Sequence, residues 1–377
     1  MGLMNFRFSI LLEFGALAEL SGQLGKLKIA RPLICTDPGL ARIGILDRLV
    51  AALDGLPHAV FDQTPENPTE AAVLKAAEVY RAADCDGVVA LGGGSSMDLA
   101  KAVAVMVAHD GDLMSFTVGK GGTKKIRTPA TLVAVPTTAG TGSEVSSGSV
   151  IVMETGEKLI LAAGSLVPRL AICDPELTLG LPPLLTAATG MDCVTHCIEA
   201  ILVPADNPMA DAFGFDGLTR AVQDGALERA VADGQDRDAR KQMMVAASEG
   251  ALAFNKGLGA VHSMSHAAGR IKALNLHHGT LNAVLLPTVL RFNHGHAADK
   301  YDRIARAMGL KAGSDLAEAI EGLNRRIGLP ANLKEMGVTG DMVPGMVSHA
   351  LADICTYTNP RKIGATEYEA LFAEQLA

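Results

Sequence analysis

Two short runs of this 377-residue sequence concentrate side chains that can hold a divalent cation. In TGMDCVTHCIEA, Asp192 and His196 are four residues apart. On a helix they project from one face, separated by roughly 40° around the axis. His262 and His266 in GAVHSMSHAAG repeat that spacing, and HHG adds His277 and His278. A single Asp-x-x-x-His or His-x-x-x-His usually belongs to a core; six such groups in two regions point to metal. Carboxylate and imidazole donors suit Fe(II) or Zn(II), with one coordination position left for a substrate. A cation there would lower the pKa of an alcohol O–H and polarise the matching carbonyl. Cys193 and Cys197 share the four-residue spacing but lie roughly 100° around the helix from the Asp/His pair, so both pairs cannot face one ion. The cysteines are assigned to helix packing.

A second chemistry is written in glycine. DGVVALGGGSSMDLAKAVAV reads as a strand ending near Leu91, then Gly92, Gly93 and Gly94, then a helix starting around Ser96. Free backbone N–H groups and a positive helix end then meet at one spot, which favours a pyrophosphate. Met97 stands where the G-x-G-x-x-G fingerprint has its last glycine, so a plain tight turn is the alternative. PTTAGTGSEVSSGS follows the apolar run TLVAVP and gathers Thr137, Thr138, Thr141 and Ser143 among glycines. Such a loop at a strand's carboxyl end suits a cofactor. Asp37 ends the run PLICTD; there a carboxylate accepts from a ribose diol and repels a 2′-phosphate, favouring NAD over NADP, or it caps a helix.

These groups need a scaffold, and the pattern supplies one. RPLICTD, HAVFDQ, CDGVVAL and ATLVAVP alternate with helical stretches such as PTEAAVLKAAEVYRAA, which predicts parallel βαβ units covered on both faces. Thr69 and Glu70 open that helix. The N-terminal run MGLMNFRFSILLEFG is expected to be an opening strand, since Glu13 interrupts it and no cleavage site follows. After DPELTLGLPP the spacing turns helical. The boundary is set at Pro182 and Pro183. This gives an α/β dinucleotide-binding domain over residues 1–182 and an all-α metal-binding domain over 183–377.

The composition, 49% hydrophobic, supports a large core. Its 41 acidic and 33 basic residues are interspersed, for a net charge of −8, with no basic block, which argues against a nucleic-acid partner. No apolar run approaches the ~20 residues needed to span a bilayer. Six dispersed cysteines are read as reduced, buried thiols in the cytoplasm.

From near Asp37 to about Asn359 the sequence resembles the iron-containing (group III) alcohol dehydrogenases, in GGGSSMDLAKA, PTTAGTGSE, ATGMDCVTHCIEA, NKGLGAVHSMSHAAG and HHGTLNAVLLPTVLRFN. The resemblance implies a dehydroquinate synthase-like architecture with a cleft between the domains, and a homodimer or higher homo-oligomer. It places the metal on Asp192, His196, His262 and the histidine before glycine, His278, with His277 as a competing neighbour. His266 then lies beside the nicotinamide as a proton relay or substrate-orienting group. The cofactor set implied is Asn67, Gly94, Ser95, Thr137, Thr138, Thr141 and Lys158, to which the loops add Asp37, Gly93, Asp98 and Ser143. Phe254 becomes a wall of the substrate pocket. If the helix carrying His262 and His266 continues, Arg270 is next on that face, with Lys272 close by, as an anchor for a substrate carboxylate. GGGSSMDLAKAVAV and CDPELTLGLPP are similar to the family's 4-hydroxybutyrate dehydrogenases, so the leading expectation is NAD-linked interconversion of an ω-hydroxy acid and its semialdehyde. A general primary alcohol or diol dehydrogenase is the alternative. A dehydroquinate synthase-type lyase is disfavoured by the few Lys and Arg near HSMSHAAG and HHGTLNA, and a non-catalytic metal or nucleotide sensor by the lack of an output module.

Overall fold

The apolar runs of the first half become strands β1 (Ser9–Leu12), β2 (Pro32–Cys35), β3 (Ala59–Phe61), β4 (Gly87–Gly92), β5 (Leu132–Pro136), β6 (Gly148–Val152), β7 (Lys158–Ala162) and β8 (Leu170–Cys173). The computed structural model describes residues 8–377. Six of the described strands form one parallel sheet in the order β1-β8-β5-β4-β2-β3; β6 and β7 pair as an antiparallel hairpin. Alternate residues of a strand face opposite sides, and both sides are buried. Leu33, Val88, Ala90, Leu132 and Ala134 join one core, with α4 (Glu70–Ala82) and α5 (Gly94–Met106) against it. Ile34, Val89, Leu91, Val133 and Val135 join the other, with α1 (Leu20–Lys26) and α3 (Ile45–Ala52). The short α2 (Pro38–Arg42) follows β2. Thr69 caps α4, its hydroxyl accepting from Ala72 N at 3.2 Å.

The expected opening strand is present as β1; the part of that run before Phe8 lies outside the described residues. The β6–β7 hairpin and β8 are elements for which the sequence carried no assignment. Residues 8–138 and 143–178 form this α/β unit.

Residues 139–142 and 179–377 form a second, helical unit. Its helices are α6 (Pro183–Leu202), α7 (Pro208–Leu218), α8 (Ala226–Ala232), α9 (Arg237–Ala253), α10 (Ala260–Ala268), α11 (His278–Asn293), α12 (Ala298–Ala307), α13 (Leu316–Arg326), α14 (Val343–Ala352) and α15 (Ala365–Glu374). Pro182 and Pro183 start α6: Pro182 is the cap and Pro183 the first helical residue, where a missing N–H costs no helical hydrogen bond. From Thr186 to Leu202 every residue of α6 is buried, so this helix is the axis of the unit. Cys193 and Cys197 lie in its apolar core, and all six cysteines are buried thiols outside any disulfide. A Cβ on Gly217 would come within 2.9 Å of Cys197 Sγ, so glycine lets α7 cross α6 closely. Among the described residues no helix is long and apolar enough to cross a membrane.

Candidate active site

In the α/β unit, Asp37, Gly93, Gly94, Ser95, Thr137 and Thr138 follow the carboxyl ends of the adjacent strands β2, β4 and β5. Gly92 pairs in register with Pro136, and Cys35 with Ala90, so the segments after β2, β4 and β5 emerge side by side. The chain leaves β2 for the edge strand β3 and returns on β2's other side as β4, which makes the β2/β4 boundary a switch point of the sheet. Gly92 has φ +144°, and a Cβ there would meet Ser96 Oγ at 2.6 Å. Gly93 caps the 13-residue α5 without a side-chain hydrogen bond, leaving its first N–H groups facing outward from the turn. Thr137 N donates to Gly92 O at 3.1 Å and ties the two loops together.

Other members of the predicted set are engaged with protein. Asp37 Oδ1 accepts from Gly39 N at 2.8 Å and Leu40 N at 3.0 Å, so the helix-cap reading is realised, and its second oxygen is not used in that cap. Asp98 accepts from Ser143 Oγ at 3.0 Å and Val150 N at 2.9 Å, while Lys101 Nζ donates to Ser143 Oγ and Gly148 O at 2.8 Å. These bonds commit Asp98 and Ser143 to holding the loop and β6 against α5. Burial pulls the Lys101 ammonium down to about 8 despite Asp98 and Glu144. Lys158 Nζ donates to Asn67 Oδ1 at 2.8 Å, and the Ser95 hydroxyl donates to Glu66 O. Thr141 belongs to the 139–142 segment of the helical unit, where a Cβ on Gly140 would strike Thr189 O at 2.4 Å and one on Gly142 would strike Ala251 Cβ at 2.1 Å.

The helical unit brings the predicted ligands together. His196 Nε2, His278 Nε2 and His262 Nε2 lie 3.5, 3.5 and 3.9 Å from one oxygen, Asp192 Oδ1. Asp192, His196 and His262 are buried, whereas His278 is half-exposed. Burial pushes the Asp192 carboxyl up, but His196, His278, His262 and the Asn282 amide outweigh it and hold it at about 2. Burial, and then His196, drive His262 well below its usual value, toward the neutral ring a metal requires. His277 precedes α11 as its cap residue.

Gly279 explains why the inward histidine is followed by glycine. A Cβ there would lie 2.1 Å from Ala188 O, so only glycine lets α11 meet α6 at the level of Asp192.

The pocket's chemistry fits a cation. Carboxylate and imidazole lone pairs converge, and the donor at their centre is Asn282 Nδ2, 2.7 Å from Asp192 Oδ1, 3.3 Å from His262 Nε2 and 3.1 Å from His278 Nε2. Among the described residues, Asn282 Oδ1 and His196 Nδ1 are buried without a hydrogen-bond partner. An acceptor-rich, under-satisfied cluster is what a divalent ion neutralises.

Asn282 is the first functional candidate that sequence reasoning missed, although it lies four residues after His278 on α11. Glu199 is the second: its Oε2 is 2.6 Å from His262 Nδ1. Asp353 is the third, with Oδ2 2.8 Å from His266 Nδ1, and it had no local signal. Burial pushes Asp353 up, but His266 and the Cys355 N–H hold its carboxyl at about 2. The His266 ring stacks on His278, centroids 5.4 Å apart and planes 14° apart. Phe254 stands edge-on to His196 at 4.9 Å.

Arg270 departs from its sequence-based premise. α10 ends at Ala268, with Gly269 as its cap, so Arg270 sits in the following turn and not on the helical face of His262 and His266. Arg270 is half-buried, and among the described residues no hydrogen bond or ion pair joins its side chain. Lys272 opens a short 3-10 turn beyond it.

A family profile described as iron-containing alcohol dehydrogenase matches residues 9–175, and one for the C-terminal part of the same family matches residues 186–376. The chain belongs to the iron-containing alcohol dehydrogenase family. It is 50% identical over 373 residues to a 4-hydroxybutyrate dehydrogenase of Cupriavidus necator, covering 97% of each chain. A crystal structure of 1,3-propanediol oxidoreductase superposes with a TM-score of 0.92 at 34% identity over 97% of both chains. Sulfoacetaldehyde reductase from Bifidobacterium kashiwanohense, solved in complex with NAD+, gives a TM-score of 0.90 at 28% identity over the full length of both. Family membership makes the chain an alcohol dehydrogenase, and the parallel sheet followed by a helical unit is the architecture its relatives share.

Proposed function

We propose that this enzyme interconverts a short ω-hydroxy acid, preferentially 4-hydroxybutyrate, and its semialdehyde with NAD and a divalent metal, Fe(II) or Zn(II). The observation that carries the reading is the convergence of three imidazole Nε2 atoms on one buried Asp192 oxygen. Asp192, His196, His262 and His278 would hold the ion. Bound there, a divalent cation acts as a Lewis acid that lowers the pKa of the substrate hydroxyl and polarises the product carbonyl.

The protein groups divide the remaining tasks. His266, its Nδ1–H donated to Asp353, presents Nε2 as the base that takes the hydroxyl proton, and Asp353 stabilises the imidazolium that results. A nicotinamide held there would supply the acceptor for the carbinol hydride, so that oxidation would release one proton and one NADH. Phe254 limits the pocket beside His196. The unpartnered Arg270 offers a bidentate site for the distal carboxylate. Asp37 and the loops after β4 and β5 are the cofactor groups, and the carboxylate of Asp37 disfavours a 2′-phosphate. The propanediol enzyme among the structural relatives supports the second reading, a neutral pocket for primary alcohols or diols.

Steady-state kinetics on 4-hydroxybutyrate, butanol and 1,3-propanediol, each with NAD and NADP, separate the readings. The expected result is a preference for 4-hydroxybutyrate with NAD. Arg270→Ala is expected to raise KM for the hydroxy acid about 10- to 100-fold, the loss of a charge-assisted bond, while leaving butanol oxidation unchanged. Equal effects on both substrates would remove Arg270 from the substrate site.

A further inference from the structure

Asp192, His196 and Glu199 are spaced 4 and 3 residues apart on α6, so Glu199 lies roughly 20° around the axis from Asp192. One face of one helix thus carries two of the converging ligands and a second acidic group. Glu199 does not point at the convergence; it reaches α10. Its Oε1 accepts from Val261 N at 2.8 Å, and its Oε2 accepts from His262 N at 3.3 Å and lies 2.6 Å from His262 Nδ1. α10 has Gly259 as its cap residue and no side-chain cap of its own, so Glu199 and Asn359, which accepts from Ala260 N at 3.1 Å, take that place from outside the helix. Glycine at 259 is what admits them: a Cβ would come within 2.7 Å of Glu199 Oε1 and 2.9 Å of Asn359 Oδ1.

We propose that Glu199 is the positioning residue of the metal centre, holding the proton of His262 on Nδ1 so that the Nε2 lone pair faces Asp192, His196 and His278. This rests on the metal reading above. The backbone N–H groups of Val261, Gly259 and His262 are directed at Glu199, and with the ring proton on Nδ1 only a carboxylate meets all of these donors with acceptors on both oxygens. An amide fails in either orientation. With its oxygen toward His262, its NH2 confronts Val261 N–H. With its NH2 toward His262, the ring must accept at Nδ1 and carry its proton on Nε2, where it cannot ligate. A carboxylate behind a ligating imidazole also strengthens the ring as a donor.

The test compares wild type with Glu199→Gln by Co(II) titration of the metal-stripped protein, chelator competition, and long-range 1H–15N spectra of the apo histidine rings. The expected result is Co(II) binding by wild type, an apo His262 signal of the Nδ1–H tautomer, and for Glu199→Gln a 10- to 100-fold weaker affinity with an altered d–d band. A residue that only capped α10 would lower the apo melting temperature and leave the Co(II) band and affinity in place. Glu199→Gln affinity within twofold of wild type therefore overturns the inference, as does an Nε2–H tautomer of His262 in apo wild type, a result that needs no folded variant. Wild type that takes up no Co(II) overturns instead the metal reading on which the inference rests.

Discussion

His262→Ala is expected to abolish stoichiometric metal binding and to lower kcat/KM by about three powers of ten, with the apo fold retained. The substitution removes a buried ring whose Nε2 belongs to the convergence on Asp192 and whose other nitrogen is fixed by Glu199. Two consequences follow. The ligand set falls from four to three, which for a divalent ion at a carboxylate and imidazole site forfeits most of the affinity. The Lewis-acid contribution is worth several kcal/mol of transition-state stabilisation, and each 1.4 kcal/mol is tenfold in rate, so about 4 kcal/mol gives the stated loss. Glu199 keeps its backbone donors at positions 259, 261 and 262 in the variant, so α10 remains anchored. Metal content by elemental analysis and the melting curve of the apo protein check both halves. Full metal occupancy in His262→Ala would transfer the ion to another set of residues.

Gly279→Ala is expected to cost about 3 kcal/mol of stability and roughly a hundredfold in turnover, though residue 279 touches no substrate. The added methyl would lie 2.1 Å from Ala188 O and 2.7 Å from Ala188 C. Both are backbone atoms of α6 with no torsion to swing them aside, so α11 must retreat. α6 carries Asp192 and His196 and α11 carries His278 and Asn282, and the helices therefore part at the metal centre itself. Thermal melts and kcat measured together are the check, with Gly295→Ala as the control because a Cβ there meets nothing within 4 Å. Wild-type behaviour of Gly279→Ala would mean that the spacing of α6 and α11 does not govern the site.

Local signals were legible wherever periodicity or backbone freedom created them. The alternation of β2, β4 and β5 between two buried faces is carried by short apolar runs, and Gly92 to Gly94 mark the turn into α5. Asp192 with His196, and His262 with His266, are legible as helical pairs because both partners lie on one element. Glu199 belongs to the same helical face, yet its partner His262 is on another helix, and a spacing that looks like surface polarity becomes meaningful only when α10 is packed against it. Asn282 shares helical spacing with His278, but its contacts to Asp192 and His262 come from α6 and α10, and Asp353, in the turn after α14, meets only a distant element through His266 of α10. The placement of Arg270 differs for the opposite reason: helical spacing was extended past Ala268, where Gly269 ends the element. Asp37 had two readings; its cap on α2 uses one oxygen, and that geometry is compatible with both.

The most direct test of the metal-dependent, NAD-linked reading is to strip the purified protein with a chelator, confirm the loss by elemental analysis, and restore Fe(II) or Zn(II) in steps while following NADH formation from 4-hydroxybutyrate and NAD. The account predicts an inactive apo enzyme whose rate climbs linearly with added metal and levels at one ion per chain. Undiminished NADH formation by the verified metal-free protein would contradict it.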